Sequence, residues 1–306
     1  MKQAGLSTPV LFLIFKRPEV TRLVFEEIRR ARPTSLFVVA DGPRKDLPGE
    51  ADLCEETRAI INVDWDCDLR TLFRSTNLGT RQGVSSAVTW FFQNVEEGIV
   101  LEDDCLPDPS FFSFAQELLA RYRDDPRIMH ISGDNFQSGR RRGDASYYFS
   151  RYPHCWGWAS WRRAWALFNL KMTTFSRFAS ERQIVKTIKN GASQRYWTRA
   201  LKLAYEQRVG CWDCAWAYAV ISHRGLCAVP NENLVTNIGF GNDATHTREP
   251  DSRFACIPTT PMGPIIHPEV VADDDEADNF EVRHVLIPPL RLRLLNRLRR
   301  ALGRCR

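Results

Sequence analysis

At 306 residues, 43% hydrophobic and 26% charged, the chain has the make-up of a soluble globular protein, long enough for one large domain or two ordinary ones. Its net charge of +5 is unevenly spread: residues 288–306 hold seven arginines and no acid, so the rest is near neutral or slightly acidic. No basic stripe or recognised module accompanies that tail, which argues against a nucleic-acid partner. There is no run of about 18 apolar residues for a membrane span. The apolar start of the chain leads into Lys16, Arg17 and Pro18 rather than a small-residue cleavage site. Nine scattered cysteines form no disulfide pattern, so the expected setting is reducing and cytoplasmic.

In chain order, residues 9–15 (PVLFLIF) read as an apolar strand. Residues 18–30 read as a helix with Val20, Leu23, Val24 and Ile28 at helical spacing after a first-turn proline. A strand over 35–40 (SLFVVA) ends at Asp41-Gly42-Pro43, giving a right-handed βαβ unit with parallel strands. A helix over 50–62, a strand over 69–74, a helix over 83–95 and a strand around Ile99 continue the alternation, as in a doubly wound sheet. Beyond this, a helix is expected over 109–122 and strands over 127–132 and 146–151. The aromatic cluster HCWGWASWRRAW (154–165) should end in a helix from Ser160, and residues 183–207 should be largely helical. The apolar stretch 215–222 fits helix or strand, and residues 237–247 (NIGFGNDATHT) fit a mobile loop. The acidic stretch 272–281 reads as a solvated linker.

The chemistry concentrates at GIVLEDDCLPDPSFF (98–112). A buried strand runs into Glu102, Asp103 and Asp104, which therefore emerge at the ligand-binding edge of the sheet. Three adjacent carboxylates disfavour one another's ionisation, and a divalent cation relieves this. Oxygen-only ligands suit Mg2+ or Mn2+ sharing its shell with substrate phosphates; the competing reading is a solvated acidic turn. Cys211 and Cys214 form a single CxxC with neither a second pair nor clustered histidines to complete a zinc site. In the tail, Leu295, Leu298 and Leu302 share a face among arginines, as in a peripheral helix on anionic membrane or a disordered solubilising tail.

The succession FKRP after the first strand, VVADGP, NxGxxxGVxxA, VLEDD with a proline turn and FF, WGWASW and finally CWDCAW resembles GT-A glycosyltransferases. It is most similar to the N-acetylglucosaminyltransferase I-like group and its bacterial relatives, over residues 9–246. The resemblance implies a mixed, mostly parallel sheet with helices on both faces, organised as a catalytic domain over 1–250. A nucleotide-sugar half would lie at about 1–105 and an acceptor half at about 106–250, with a linker-like extension (251–287) and a basic tail (288–306) following. It further implies a UDP-sugar donor, Mn2+ or Mg2+, inversion at the anomeric carbon, and a carbohydrate or glycolipid acceptor.

By the same resemblance, Asp41 accepts the uracil N3 hydrogen, Arg74 and residues 77–83 meet pyrophosphate or ribose, and Asp104 ligates the metal with Glu102 and Asp103 in support. Lys16 and Arg17 stand where cations meet phosphate oxygens, or simply supply charge at the start of a helix. Asp41 equally fits a turn before Gly-Pro. Asp213 is the candidate base, although the family has two adjacent Asp where this chain has Asp213 and Cys214; it also fits a helix N-cap. His246 could approach the metal or diphosphate on loop closure, or be a lone surface histidine. Trp156, Trp158 and Trp161 form a wall for a sugar ring or pack the core, with one of them expected to face sugar. Asp134 and Asn135 would bind hydroxyls nearby. The competing functions are a sugar-phosphate nucleotidyltransferase, which would want a glycine-rich loop after the first strand, an Asp-nucleophile phosphatase, and a non-catalytic nucleotide-sugar or carbohydrate-binding module.

Overall fold

A computed structural model describes residues 5–241 and 254–287. The first half alternates as the sequence predicts: β1 (Val10–Ile14), α1 (Pro18–Ala31), β2 (Ser35–Ala40), α2 (Glu50–Ala59), β3 (Asp68–Phe73), α3 (Gly79–Asn94) and β4 (Glu97–Glu102). Then come β5 (Cys105–Pro107), α4 (Pro109–Arg121), β6 (Ile128–Ser132), β7 (Tyr147–Ser150) and β8 (Trp158–Trp161). A helical layer follows, of α5 (Arg162–Trp165), α6 (Phe175–Ser180), α7 (Gln183–Thr187), α8 (Gly191–Tyr205) and α9 (Asp213–Ser222). Strands β9 (Leu226–Pro230) and β10 (Val235–Asn237) precede α10 (Asp275–Glu281), which runs into a π-helical turn, Val282–Leu286.

Eight strands form one sheet in the order β3-β2-β1-β4-β8-β6-β9-β7, while β5 and β10 form a small antiparallel pair. Within the large sheet β8 and β7 alone run against the rest, so the class is α/β with a mixed, mostly parallel sheet. Both faces are covered, which is why the central strands are apolar throughout rather than alternating with polar residues. Val10, Phe12 and Ile14 of β1 pack with α1 and α4 on one side; Leu11 and Leu13 pack with Val88, Phe91 and Trp216 from α3 and α9 on the other.

Two expectations are corrected. The helix expected from Ser160 begins only at Arg162, because Trp158–Trp161 is a strand set antiparallel to β4, with Ile99 opposite Ala159. Its side chains alternate, Trp158 entering one core and Ala159 and Trp161 the other, a period of two that no helix satisfies. Residues 183–207 are largely helical as expected, in two helices parted at Ile188, and Asn190 starts α8 by accepting from the Ala192 and Ser193 amides. The stretch read as a solvated linker is a packed helix. Asp274 caps α10, Asp278 accepts from Ser150 Oγ and the Arg151 amide, and Glu281 reaches buried His154. Stretch 215–222, open on sequence alone, belongs to helix α9. No helix among the described residues is long and apolar enough to cross a membrane.

Candidate active site

The parallel strands β1, β2 and β4 deliver their C-terminal ends to one edge. Phe15–Arg17, Asp41 and Asp103–Asp104 meet there, where open α/β sheets bind ligands. A cavity of about 220 Å³ at this edge is lined by Lys16, Asp41, Arg74, Asn77, Gly83 and Asp103, among others. A second, of about 360 Å³, is lined by Asp104, Cys155, Trp156, Cys211, Trp212, Asp213 and Asn237. Arg17, Thr80 and Glu102 line both, so the two are lobes of one cleft.

In the first lobe, Asp41 accepts from the Leu78 and Gly79 amides at 3.1 Å, holding the first turn of α3 against β2. Arg74 Nη1 lies 3.9 Å from Asp41 Oδ1 and donates to the Gly83 carbonyl at 3.1 Å. Lys16 pairs with Glu50 at 2.8 Å. Arg44 is the chief cause that draws the Glu50 carboxyl down to about 2, with Lys16 assisting.

Where the lobes join, Arg17 Nη2 bridges Asp103 and Asp104, with Asp104 Oδ2 at 3.0 Å, and the Phe15 amide donates to Asp103 at 3.3 Å. Burial works against the Arg17 charge, but Asp103 and Asp104 outweigh it and hold the guanidinium firmly protonated. Burial, then Asp104 and Asp103, pushes the Glu102 carboxyl well up; Arg17 opposes this and Asp213 adds to it. Asp103 is raised for the same first reason, against the pull of Arg17. Arg17 thus pairs with the two acids that directly follow β4, next to Glu102 at the end of that strand.

The second lobe is roofed by the chain after β10. Ile238 N donates to the Asp104 carbonyl at 2.9 Å, and Asn237 Oδ1 accepts from the Gly239 amide at 2.9 Å. A Cβ at Gly239 would stand 2.2 Å from Asp104 Oδ2 and 2.6 Å from Arg17 Nη1, so only glycine lets the loop lie this close to the acids. Gly157, at φ +67°, turns the chain between Trp156, which lines the lobe, and Trp158, which is wholly buried.

Of the three tryptophans expected to wall a sugar, one does line the cleft. Trp156 sits edge-on to Phe136 and Phe240 at 5.3 and 5.8 Å. Trp158 instead stacks on His130 and Trp212 at 5.2 and 5.8 Å, and Trp161 is buried, donating to the Leu119 carbonyl at 3.2 Å. Asn135 is also spent inside the fold, donating from Nδ2 to the Pro230 carbonyl at 2.6 Å and accepting at Oδ1 from Gln137. Asp134 is buried 3.7 Å from His154 Nδ1. Burial pushes its carboxyl up to about 7 against the pull of His154. His246 lies outside the described residues.

Asp213 is the first residue of α9, after Trp212 at the cap position. It is exposed to the cleft between two free cysteines whose sulfurs stand 2.6 Å apart. Cys211, Asp213 and Cys214 bring ligand atoms within 4.8 Å of one another, the group of this kind found among the described residues. Glu102, Asp103 and Asp104 do not converge in that way. A hard ion shared with substrate phosphates needs only one or two protein carboxylates, and Asp104, facing the lobe beneath a bridging cation, fits that requirement. Thr80 falls in the 77–83 stretch expected near pyrophosphate or ribose, whereas Cys155, Trp212 and Asn237 were not picked out individually; each stands in a motif already singled out, where adjacency to Trp156, to Asp213 and to the glycine-rich loop was the available signal.

No family model matches the chain, and no curated protein matches it. Among solved structures it is similar to a mannosyltransferase from Pyrobaculum calidifontis in complex with GDP-Man and Mn2+, at 13% identity over 71% of this chain and 69% of the other, TM-score 0.39. It is also similar to mouse xyloside xylosyltransferase 1 in its apo form, at 12% identity over 71% and 82%, TM-score 0.36. A third similarity is to a CMP:2-keto-3-deoxy-manno-octonic acid synthetase complexed with CTP, at 12% identity over 59% and 86%, TM-score 0.31. These structures include both sugar transferases and a nucleotidyltransferase, and at such TM-scores none of them assigns a family.

Proposed function

We propose that the chain is a GT-A type, inverting, metal-dependent glycosyltransferase that moves a sugar from a UDP-sugar to a hydroxyl of a carbohydrate or glycolipid. The observation that carries this reading is the two-lobed cleft: a lobe with Asp41, Arg74 and Lys16 is joined through Arg17 and Glu102 to a lobe with Asp104, Asp213 and Trp156. The first lobe suits a nucleotide, since Asp41 offers acceptors and Arg74 and Lys16 offer positive charge to phosphates. Asp104, with Glu102 and Asp103 behind it, would hold Mg2+ or Mn2+. When bound, that ion supplies neutralising charge to the departing diphosphate.

The remaining steps belong to this chain's own groups. Arg17, already centred on the acids, is placed to follow negative charge between the lobes. Trp156 presents an indole surface to a sugar ring, and the chain just after β10 lies against Asp104. Asp213, exposed in the same lobe, takes the acceptor hydroxyl's proton as its oxygen attacks the anomeric carbon.

The test is to incubate the protein with Mn2+ and a panel of UDP- and GDP-sugars and identify the nucleotide released. Free nucleoside diphosphate is the expected product, most of all from a UDP-sugar. Release of pyrophosphate or nucleoside monophosphate would place the chain among nucleotidyltransferases or hydrolases instead.

A further inference from the structure

A third cavity, of about 520 Å³, opens away from the cleft among α6, α7 and α8, and is larger than either cleft lobe. Its floor is apolar, made by Phe178, Ile184 and Leu201, which pack with Trp197, Tyr218 and Val282 in a core separate from those on the two faces of the sheet, with Val185 on its wall 43% exposed. Its rim carries Arg182, Arg195, Arg199 and Lys202, and no acid lines it. Among the described residues Arg182, Arg195 and Arg199 form no ion pair with a carboxylate, while Lys202 has only Glu206 at 3.7 Å. The surrounding layer is basic as a whole: residues 171–208 hold nine Lys or Arg against two Glu. The even, near-neutral body expected from the net charge therefore hides a strongly positive face.

We infer that this groove docks the protein on an anionic phospholipid surface, its rim taking headgroup phosphates and its floor the apolar region beneath them. An apolar centre ringed by long cationic side chains matches the boundary between headgroups and acyl chains. The sequence that follows the described residues supports the same occupant. Leu286 and Ile287, the last of the described residues, pack on the core that floors the groove, and the sequence after them, 288–306, holds seven arginines and no acid. The tail itself is a poor occupant of the groove, since its arginines would meet the cationic rim. A second copy is equally poor, because a two-fold contact sets like charge against like.

Flotation of the full chain with phosphatidylcholine vesicles, with and without phosphatidylglycerol, tests this. Wild type should float only with the anionic vesicles and lose binding as salt rises. Replacing Arg195, Arg199 and Lys202 with Ala, tail intact, should lower the partition coefficient about a hundredfold, at about fivefold per cation removed. Val185→Asp should weaken binding while preserving the melting temperature. Equal flotation of wild type and the triple variant would overturn the proposal. So would a change of sedimenting mass in Val185→Asp with vesicle binding untouched, which would make the groove a self-association face, or binding of an acidic peptide to the groove with no binding of vesicles.

Discussion

Glu281, from the last described helix, reaches across the fold to His154, with Nε2 at 2.9 Å from both carboxylate oxygens. Burial opposes a charge on His154, but Glu281 and then Asp134 override it and lift the imidazole from 6.5 to about 9. At about 1.4 kcal/mol per pH unit, this amounts to about 3 kcal/mol of folding stability. The sign follows from the direction. A histidine raised on folding contributes in full below 6.5 and loses that contribution as pH climbs through about 9. Asp134, raised from 3.8 to about 7, likewise favours the folded state at low pH and gives that up by neutrality. Glu281→Gln should therefore cost about 2 to 3 kcal/mol near pH 6, with the gap to wild type closing above pH 9. Urea unfolding of both proteins across that range reads the effect. A gap of the same size at every pH, or none at pH 6, would refute the pairing. Because Cys155 and Trp156 follow His154 directly, the same variant should also raise the acceptor KM.

Three further outcomes follow from the packing. Trp158→Ala should cost about 3–5 kcal/mol in thermal or urea unfolding, as a buried aromatic does, whereas Trp156→Ala should leave stability nearly unchanged and raise acceptor KM about tenfold. Gly239→Ala forces a Cβ against Asp104 and Arg17; with the fold intact by circular dichroism, turnover should fall about a hundredfold. Asp41→Ala removes the acceptor of two α3 amides, which should lower stability by about 1 kcal/mol and weaken nucleotide binding while leaving Mn2+ affinity unchanged.

The parallel half of the sheet was legible because its strands are short apolar runs between turn residues, and periodicity separates those from the intervening helices. The same legibility put Glu102–Asp104 at the ligand edge, since the position of β4 fixes where its end emerges. Periodicity could not separate Trp158 from Trp156: both are tryptophans in WGWASW, and the left-handed turn at Gly157 decides which of them faces the cleft. Nor does composition show that Asp278 and Glu281 of α10 are buried, because their partners, Ser150, Arg151 and His154, lie more than a hundred residues earlier. Net charge hid the basic helical layer for a similar reason, as a sum reports no positions.

The central claim is that Asp104 and Asp213 divide the work of one cleft, the first holding donor and metal, the second moving a proton. Calorimetric titration of a UDP-sugar into wild type, Asp104→Asn and Asp213→Asn, with and without Mn2+, followed by transfer assays on the same samples, tests it directly. Asp213→Asn should bind donor as wild type does and lose transfer by about a hundredfold or more. Asp104→Asn should lose the Mn2+-dependent part of donor binding. Mn2+-dependent binding that survives intact in Asp104→Asn would contradict the account.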